Sequence, residues 1–389
     1  MEHWNEAKIK DLAEVKGGKR LPKGKQLIKE PNNHPYIRIR DLGKAKYLQL
    51  NSEYEYVDDE TQKTIARYIV NTGDILISVV GTIGLIGIVG STLDKANQTE
   101  NCDKIVNIHG INPEYLYYYL VSDLGQEEIK RGTVGAVQPK LPLKNVLDIT
   151  VKYPSIWAQE KIVAILSAID EKIAVNKKIN NNLEQQAQAI FKSWFVEFDP
   201  FGKKQPSEWQ TSTLGKVSIM GAGGDKPKVV SPIKTEVCSY PIYSNGLSDE
   251  GLYGYTDAPK ILDESVTVSA RGTIGFVCLR HIPYAPIVRL VTLIPNKDII
   301  SAKYLYLWLK QLHITGTGTT QQQLTVPDFQ KTEILVPSAE VVSLFTATIA
   351  PIFEKIWANQ LENDKLAQIR DALLPKLISG ELDVSSIDL

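Results

Sequence analysis

The 389-residue sequence predicts a tandem α/β fold in which two similar domains alternate with two long helices. The first observation is a repeat of about half the chain. Gly-Thr-Ile-Gly at residues 81–84 returns at 272–275, and Gln138-x-x-Leu returns at Gln321. This period far exceeds the roughly 20–50 residues of a solenoid unit, so each copy is a whole domain with its connector. The second observation is a heptad pattern of apolar residues in both connectors.

The repeated motifs and the heptad patterns define the predicted domain boundaries and the first secondary-structure elements. The boundaries are domain 1 at 1–152, a central long helix at 153–199, a linker at 200–208, domain 2 at 209–337, a second long helix at 338–380 and a tail at 381–389. Apolar strands are predicted around the two Gly-Thr-Ile-Gly turns, at 74–80, 85–89, 265–270 and 276–279. Aromatic-rich helices then begin at Asn112 and Ser301. Each half is therefore a small α/β domain.

The first connector contains no Pro or Gly between Pro154 and Pro200, which predicts one long helix that begins near Ser155. Alternating steps of four and three residues give a heptad seam at Ile162, Leu166, Ile169, Ile173, Asn176, Asn180, Leu183, Ala187, Ile190 and Trp194. The second connector has the matching seam at Phe345, Ile349, Ile352, Ile356, Asn359, Asn363, Leu366, Arg370, Leu373 and Leu377.

Both seams carry two asparagines at their centre. A buried Asn pairs with a polar partner, so Asn176, Asn180, Asn359 and Asn363 are predicted to fix the register of an intramolecular antiparallel coiled coil. Such a pair, about 60 Å long, would relate the two domains by an approximate two-fold axis. The alternative is a dimerisation coiled coil with another chain. Pro351 interrupts the pattern, and the second helix is expected to bend or begin there.

The formal net charge is −1, but the charges are unevenly distributed along domain 1. Residues 8–46 contain twelve Lys or Arg and four acids, whereas residues 47–128 contain four Lys or Arg and thirteen acids. Clustered cations neutralise DNA phosphates, so residues 8–46 are a candidate phosphate-facing edge. The alternative is solvated surface charge with a mobile basic loop.

The Gly/Thr-rich loops that precede the last strand of each half are the best candidates for DNA contact. Glycine permits close backbone approach, Thr hydroxyls suit phosphate oxygens, and Gln can pair with adenine edges. The alternative assigns these loops to packing at the junction between domain and helix. The candidate DNA-contacting residues are Lys19, Arg20, Lys23, Lys25, Arg38, Arg40, Arg131, Thr133, Gln138 and Lys140 in domain 1, and Tyr243, Asn245, Arg271, Thr317, Thr319, Gln321 and Gln322 in domain 2.

Arg38 and Arg40 are included because they alternate along an apolar stretch, which predicts a strand with both arginines on one face. Exposed strand arginines without a binding role are the alternative. The matching stretch of domain 2 lacks them and carries Tyr243 and Asn245, and Arg271 stands where domain 1 has Val80. Different residues at matched positions predict different targets.

Searches for catalytic motifs give only near misses. Residues 112–115 and 199–202 resemble the [DN]-P-P-[FYW] loop of adenine methyltransferases, but the first reads as a helix start and the second as a linker. Residues 18–25 are one residue too long for a P-loop. Asp123 and Glu128 follow a helix, which argues against a metal-dependent nuclease. No catalytic residue is predicted.

The remaining composition predicts a cytoplasmic protein without metal. Cys102, Cys238 and Cys278 are isolated, and the five His residues lack ligand spacing. No window is expected to reach the roughly 18 apolar residues of a membrane span, and the N-terminus lacks the apolar core of a signal peptide.

The connectors contain two further distinctive stretches, LEQQAQAIFKSWFVEFDPF at 183–201 and LLPKLISGEL at 373–382. With these stretches and the alternation of domain and long helix, the sequence resembles the DNA specificity subunit of Type I restriction–modification systems. Pro154-Ser155 with Gln159-Glu160 resembles the family's helix start, whereas the second copy has Val341-Val342 in place of Gln-Glu.

This resemblance implies a subunit without an active site, whose two target recognition domains contact the two unequal halves of a split DNA sequence. The helix pair would set the spacer and dock two adenine methyltransferase subunits. S-adenosylmethionine, ATP and Mg would be bound by the methyltransferase and motor–nuclease (restriction) subunits, and none by this chain. Two other functions stay open: a self-contained nuclease or methyltransferase, and a scaffold that spaces two non-DNA partners.

Overall fold

The computed structural model describes residues 4–316 and 323–384. The chain forms two compact units. The first unit comprises Met1–Lys177 and Gln360–Leu389, and the second comprises Lys178–Asn359. Each long helix therefore contributes one half to each unit, so a unit is a domain together with two helix segments.

Domain 1 is mixed α/β, as the sequence predicts. Its strands are β1 (Asn5–Lys8), β2 (Glu14–Gly17), β3 (Pro35–Ile37), β4 (Tyr47–Leu48), β5 (Glu55–Tyr56), β6 (Ile75–Ser78), β7 (Ile86–Val89), β8 (Asn97–Gln98), β9 (Cys102–Val106) and β10 (Thr150–Tyr153). Its helices are α1 (Asp59–Ile65), α2 (Pro113–Val121), α3 (Asp123–Gly132) and α4 (Leu143–Leu147). The sheets have the strand orders β2-β9-β6-β7-β4 and β5-β3-β8, and β1 pairs antiparallel with β10.

The first long helix, α5, runs over Ile156–Phe195 without interruption. Gln159 in its first turn is buried and ties it to domain 1, since its amide accepts from the backbone N–H of Asn112 at 2.8 Å and donates to the Pro154 carbonyl at 2.9 Å. This contact gives a physical role to the Gln that follows Pro154-Ser155 in the sequence.

Domain 2 repeats the design. Its strands are β11 (Gln210–Thr213), β12 (Ser218–Ala222), β13 (Tyr240–Tyr243), β14 (Leu252–Thr256), β15 (Ser265–Val268), β16 (Val277–Arg280), β17 (Ala285–Pro286), β18 (Val291–Pro295) and β19 (Glu333–Val336). Its helices are α6 (Leu214–Val217), α7 (Ala302–Gln311) and α8 (Val326–Phe329). The β15–β16 hairpin matches β6–β7, α7 matches α2, and the β11–β19 pair matches β1–β10.

The second long helix, α9, runs over Ala339–Ser379. The sequence left open whether this helix bends or begins at Pro351. It does not begin there, because it starts twelve residues earlier and continues past the proline. Buried residues on both sides, Ile349 and Phe353, hold it against the core of the second unit. Counted from the Pro-Ser pair, Val342 and Ser343 stand where α5 has Gln159 and Glu160, so the pairing of Val341-Val342 with Gln-Glu in the sequence is one residue out of register. In α9, Thr346 instead donates to Ser301 at the start of α7 at 2.8 Å.

The helix segments belong to the hydrophobic cores of their units. In the first unit, Ile162 and Leu166 of α5 and Leu377 of α9 join the core built on β6, β7 and α2. In the second unit, Phe195 lies 4.9 Å from the ring of Tyr304 and 4.8 Å from that of Phe345, in edge-to-face geometry. Each domain and its helix segments thus form one packing unit.

The two helices run antiparallel within each unit. In the first unit, Arg370 of α9 donates to Asp170 of α5 at 2.9 Å, and Asn176 donates to Asn363 at 2.9 Å. Residue numbers fall along α9 as they rise along α5, which is the predicted direction. Arg370 occupies a seam position that most coiled coils fill with an apolar residue, and its partner Asp170 compensates the charge.

Part of α9 is apolar enough to cross a membrane by length and composition, with a mean hydropathy of 1.4 over 18 residues. The sequence expectation that no window reaches this level is therefore wrong. One such helix is weak evidence for a membrane span, because core helices pass the same test. Within the segment, 28% of the residues are buried, among them Phe345, Ile349 and Phe353 in the core of the second unit.

An ion pair between the buried Lys46 and the half-buried Glu114 fixes the segment before β4 to α2 and α5. The Lys46 side chain is 5% exposed, forms an ion pair with Glu114, and donates to Ser167 Oγ at 2.6 Å. Its ammonium also lies 4.8 Å from the ring centre of Tyr118. The pair therefore joins three elements of the first unit.

We expect Glu114→Ala to lower the free energy of unfolding of the first unit by about 3 kcal/mol, because it leaves the Lys46 charge buried without its carboxylate. The Lys46→Met, Glu114→Ala double variant should lose less, since no buried charge remains. Urea unfolding of the full chain measures both. A double variant that is less stable than Glu114→Ala alone would contradict this account.

Candidate nucleic-acid interface

The cations of residues 8–46 lie beside acids from later in domain 1, so the charge imbalance along the sequence is largely balanced in space. The ion pairs join Lys8 to Asp148, Arg20 to Glu100, Lys25 to Asp58 and Glu60, Arg38 to Glu55, Lys44 to Glu53, and Lys46 to Glu114. This finding favours the reading of solvated, paired charge for much of the segment. A phosphate-facing edge must then rest on exposed cations such as Lys19, Lys23 and Lys29.

Lys25 is the most strongly paired of the candidates between β2 and β3. Its ammonium lies 2.5 Å from Glu60 and 3.2 Å from Asp58. Hydrogen bonds to these carboxylates raise the pKa of Lys25. The backbone N–H of Thr61 and then Lys25 lower the pKa of Asp58 to about 2. Arg20 is largely exposed although it bonds Glu100 at 2.7 Å, and this bond raises the pKa of its guanidinium.

Arg38 and Arg40 are not on one face of a strand, so that prediction is wrong. Strand β3 ends at Ile37, and a 3-10 turn follows at Ile39–Asp41. The physical reason is local: the Asp41 carboxylate accepts from the backbone N–H of Arg38 at 2.7 Å and closes the turn. Arg38 forms an ion pair with Glu55, and Arg40 donates to the Glu53 carbonyl at 2.9 Å.

The loop that follows α3 presents some of its predicted residues and not others. Arg131 forms an ion pair with Glu128, and the Thr133 hydroxyl donates to the Ile129 carbonyl at 2.8 Å, so Thr133 helps to end the helix. Beyond them, Val134 and Lys140 exchange two backbone hydrogen bonds of 2.8 and 2.9 Å.

The residues between Val134 and Lys140 are exposed. Gln138 and Lys140 lie in an exposed run, and Val137 at its tip is 94% exposed. Gly135 has φ of +96°, and a Cβ there would lie 2.7 Å from the Gln138 carbonyl oxygen, so the turn requires glycine. The loop is thus a defined hairpin whose tip is open to a partner.

Tyr243 and Asn245 take part in the packing of domain 2. The Arg280 guanidinium lies 3.6 Å from the ring centre of Tyr243, and burial raises the pKa of this phenol. The Asn245 amide donates to the Val288 carbonyl at 2.6 Å and accepts from the Ala270 backbone N–H at 2.7 Å. These contacts explain both residues structurally, and a role in DNA contact stays a prediction.

Arg271 is exposed at the end of the β15–β16 hairpin and donates to the side-chain oxygen of Gln323 at 3.0 Å. Sequence reasoning missed Gln323, although its position matches Lys140 once Gln138 is aligned with Gln321. The other candidates of domain 2, Thr317, Thr319, Gln321 and Gln322, lie outside the described residues.

The asparagines of the two seams contact one another. Asn176 donates to Asn363 at 2.9 Å in the first unit, and Asn359 donates to Asn180 at 2.7 Å in the second. Asn180 also donates to the Ile356 carbonyl at 3.1 Å. Asn176 and Asn359 are buried, so each bond satisfies polar atoms shielded from water. That these residues fix the register stays a prediction.

The near misses to catalytic motifs have structural explanations. The Asn112 side chain accepts from the backbone N–H groups of Glu114 and Tyr115 and caps α2. Residues 199–201 form a 3-10 turn after α5. Within residues 4–316 and 323–384, no group of three or more His, Cys, Asp or Glu side chains is arranged to hold a metal ion.

Comparison with known proteins assigns the family. The sequence model of the Type I restriction modification DNA specificity domain matches this chain twice, at residues 1–185 and 206–371. The chain belongs to the Type I restriction–modification DNA specificity family. Each match covers one domain and most of the helix that follows it, which is the repeat seen in the sequence. DNA recognition in a Type I system is the role of this family.

Relatives and a solved structure are similar over most of the chain. The MjaIX specificity subunit of Methanocaldococcus jannaschii is 27% identical over 99% of this chain and 94% of its own. A putative type I specificity subunit of Mycoplasma pneumoniae is 30% identical over 67% of this chain and 78% of its own. The crystal structure of the S subunit from M. genitalium has the same fold, with a TM-score of 0.54 at 17% identity, covering 97% of this chain and 96% of that one.

Proposed function

We propose that the two domains of this chain contact the two halves of a split, asymmetric DNA site, and that the helix pair sets the spacer between them. The observation that carries this proposal is a repeated backbone framework with different exposed side chains. In domain 1, the Leu141 N–H donates to the Val79 carbonyl at 2.9 Å, and in domain 2 the Leu324 N–H donates to the Ala270 carbonyl at 3.0 Å. The residues that follow Val79 and Ala270 are Val80 and Arg271.

The chemistry of methylation belongs, in this proposal, to other subunits. Two adenine methyltransferase subunits would dock along the long helices and carry S-adenosylmethionine, and restriction subunits would bring ATP and Mg. Methyl transfer to an adenine requires the base to be flipped into a pocket of the enzyme that performs it. This chain would determine where on the DNA that occurs, in the cytoplasm.

The direct test is to purify the full chain alone and together with the methyltransferase subunits of its source, and to map methylated adenines on genomic DNA. We expect the complex to methylate one two-part motif with a fixed spacer, and the chain alone to methylate nothing. Methyl transfer or DNA cleavage by the chain alone would instead favour a self-contained enzyme. Absence of a DNA shift by the complex would favour a scaffold for non-DNA partners.

The salt dependence of binding separates the exposed cations from the paired ones. The sequence predicts phosphate contacts from both Lys23 and Lys25. We expect Lys23→Ala to reduce the slope of log affinity against log salt by roughly one unit, and Lys25→Ala to reduce it by less, because Asp58 and Glu60 already neutralise Lys25.

Fluorescence anisotropy of the complex on a labelled duplex between about 50 and 200 mM salt gives these slopes. Lys204→Ala, an exposed lysine of the linker, is the matched control. An unchanged slope in Lys23→Ala would remove this residue from the interface.

A further inference from the structure

The two domains present equivalent positions beside the turn of their central hairpins. The turn between β6 and β7 is closed by the hydrogen bond from the Gly84 N–H to Ser78, and the turn between β15 and β16 by the bond from the Gly275 N–H to Ser269. Just after the end of β6 and of β15, the segment that follows the Gly/Thr loop is hydrogen-bonded to the backbone. Leu141 makes this bond to Val79 in domain 1, and Leu324 makes it to Ala270 in domain 2. The two domains therefore share these backbone hydrogen bonds.

The side chains at these positions differ in chemistry. In domain 1, Val80 is 40% exposed and forms a backbone bridge with Lys140. In domain 2, the equivalent residues are Arg271 and Gln323, whose side chains are joined by a hydrogen bond of 3.0 Å. Two domains with different targets need the same supporting backbone contacts and different side chains at the exposed edge, as seen here for Val80 and Arg271.

The backbone that precedes Arg271 is anchored on both sides. The Ala270 N–H donates to the Asn245 side-chain oxygen at 2.7 Å, and the Ala270 carbonyl accepts from Leu324 at 3.0 Å. Asn245 is itself held by the Val288 carbonyl at 2.6 Å. Asn245 therefore has a structural role: it holds Ala270, the residue before Arg271, in place.

The bond to Gln323 orients the guanidinium and uses one of its five N–H donors. An oriented guanidinium can donate two parallel hydrogen bonds, which a lone point charge cannot do. A phosphate and a base edge can both accept such a pair of bonds. Among the base edges, guanine accepts both through O6 and N7 in the major groove, and the difference from Val80 at the matched position favours the base, because a phosphate contact carries no sequence information.

We propose that Arg271 recognises a guanine in the half-site contacted by domain 2, with Gln323 as the residue that positions its guanidinium. This inference rests on the proposed function and names a specificity-determining contact within it. Val80 has no hydrogen-bond donor on its side chain, so domain 1 does not make this contact from the equivalent position. The two half-sites therefore differ at the base pair that faces this position.

The test uses the full chain with its methyltransferase subunits and a library of DNA duplexes with randomised sequence, from which bound molecules are sequenced. The variants are Arg271→Ala, Arg271→Lys and Gln323→Leu, and Lys234→Ala is the control for an exposed cation of the same domain. Arg271→Ala and Arg271→Lys should reduce the preference for G·C at one position of one half-site by roughly 5- to 150-fold. Gln323→Leu should reduce it at the same position by a smaller factor.

The other half-site serves as an internal control, because a variant that still selects it contains a folded first unit and a bound complex. We expect that half-site and the spacer to be unchanged in every variant. If Arg271→Ala does not fold, Arg271→Lys and Gln323→Leu still decide the question, since they keep the bulk of the site.

Three outcomes would overturn the assignment. A uniform loss of affinity for all sequences, with the preference intact, would make Arg271 a phosphate contact. An unchanged motif would remove Arg271 from recognition while leaving the proposed function in place. A wild-type complex that selects no two-part motif would overturn the proposed function, and the assignment with it.

Discussion

Lengthening both long helices by one heptad should lengthen the unspecified spacer of the recognised DNA by about 3 bp. Seven residues add about 10.5 Å to a helix at 1.5 Å per residue. Base pairs of B-DNA are stacked about 3.4 Å apart. Since each long helix has one half in each unit, its length is the quantity that the spacer should follow.

The insertions belong between the asparagine contacts, after Lys178 in α5 and after Leu361 in α9. Asn176 with Asn363 and Asn180 with Asn359 lie on either side of these points, so matched insertions of a whole heptad keep all four residues paired. Mapping methylated adenines, or footprinting the complex, would then report a new spacer and the same two half-sites.

Two controls separate length from disturbance. An insertion of seven residues in α5 alone shifts Asn180 away from Asn359 and should abolish binding, because buried amides lose their partners. Seven Gly/Ser residues placed after the exposed Lys234 should leave the spacer unchanged. Retention of the original spacer in the variant with both helices lengthened would refute the idea that the helices set it.

The repeat and the heptad pattern were sufficient to predict the fold class because both depend on periodic, local information. Gly81–Gly84 and Gly272–Gly275 form matching turns, with positive φ at all four of these terminal glycines. The seams predicted that the four central asparagines would lie between the two antiparallel helices, since a heptad position fixes the face of a helix; which of them pair is visible only in the structure. Arg370, which breaks the apolar pattern, became understandable only with Asp170, a residue 200 positions away.

The candidate interface was less predictable because its properties depend on partners distant in sequence. The acids that pair with Lys25 in the fold, Asp58 and Glu60, lie 33 and 35 residues away from it in the sequence. Arg38 and Arg40 fitted a strand by their alternation, but the Asp41 side chain captured the Arg38 N–H and formed a turn. Arg271 was found by comparing the two halves of the sequence. Extending the list of loop candidates in domain 2 by one residue beyond Gln322 would have included Gln323.

Replacing all of domain 2 by the corresponding domain of a relative should change one half of the recognised sequence and leave the other half and the spacer unchanged. An exchange limited to Tyr240–Pro327 would separate β12 from its partner β18. These two strands pair at five residues and form one edge of the four-stranded sheet β12-β18-β15-β16 of domain 2. The exchange should instead span 209–337, so that β11 and β19 are replaced as a pair. The sheet of domain 2 then comes entirely from one parent.

The junction with the long helices limits which donor domains are suitable. Phe191, Phe195 and Phe345 of the helices pack on Tyr304 and Trp209 of domain 2. A donor with aromatic residues at these two positions preserves the core, whereas a smaller residue at Tyr304 would leave a cavity and cost about 3–5 kcal/mol. A matched donor therefore tests recognition rather than stability.

Methylation mapping of DNA from cells that express the chimera with its methyltransferase subunits gives the result. The new half-site should be that of the donor, because a single mismatched base pair already costs about 1–3 kcal/mol and a changed half-site contains several. The reciprocal exchange of residues 5–153 should alter only the other half. If either exchange changed both halves, the two domains would not recognise DNA independently. The difference between Val80 and Arg271 would then no longer indicate that the two domains have different targets.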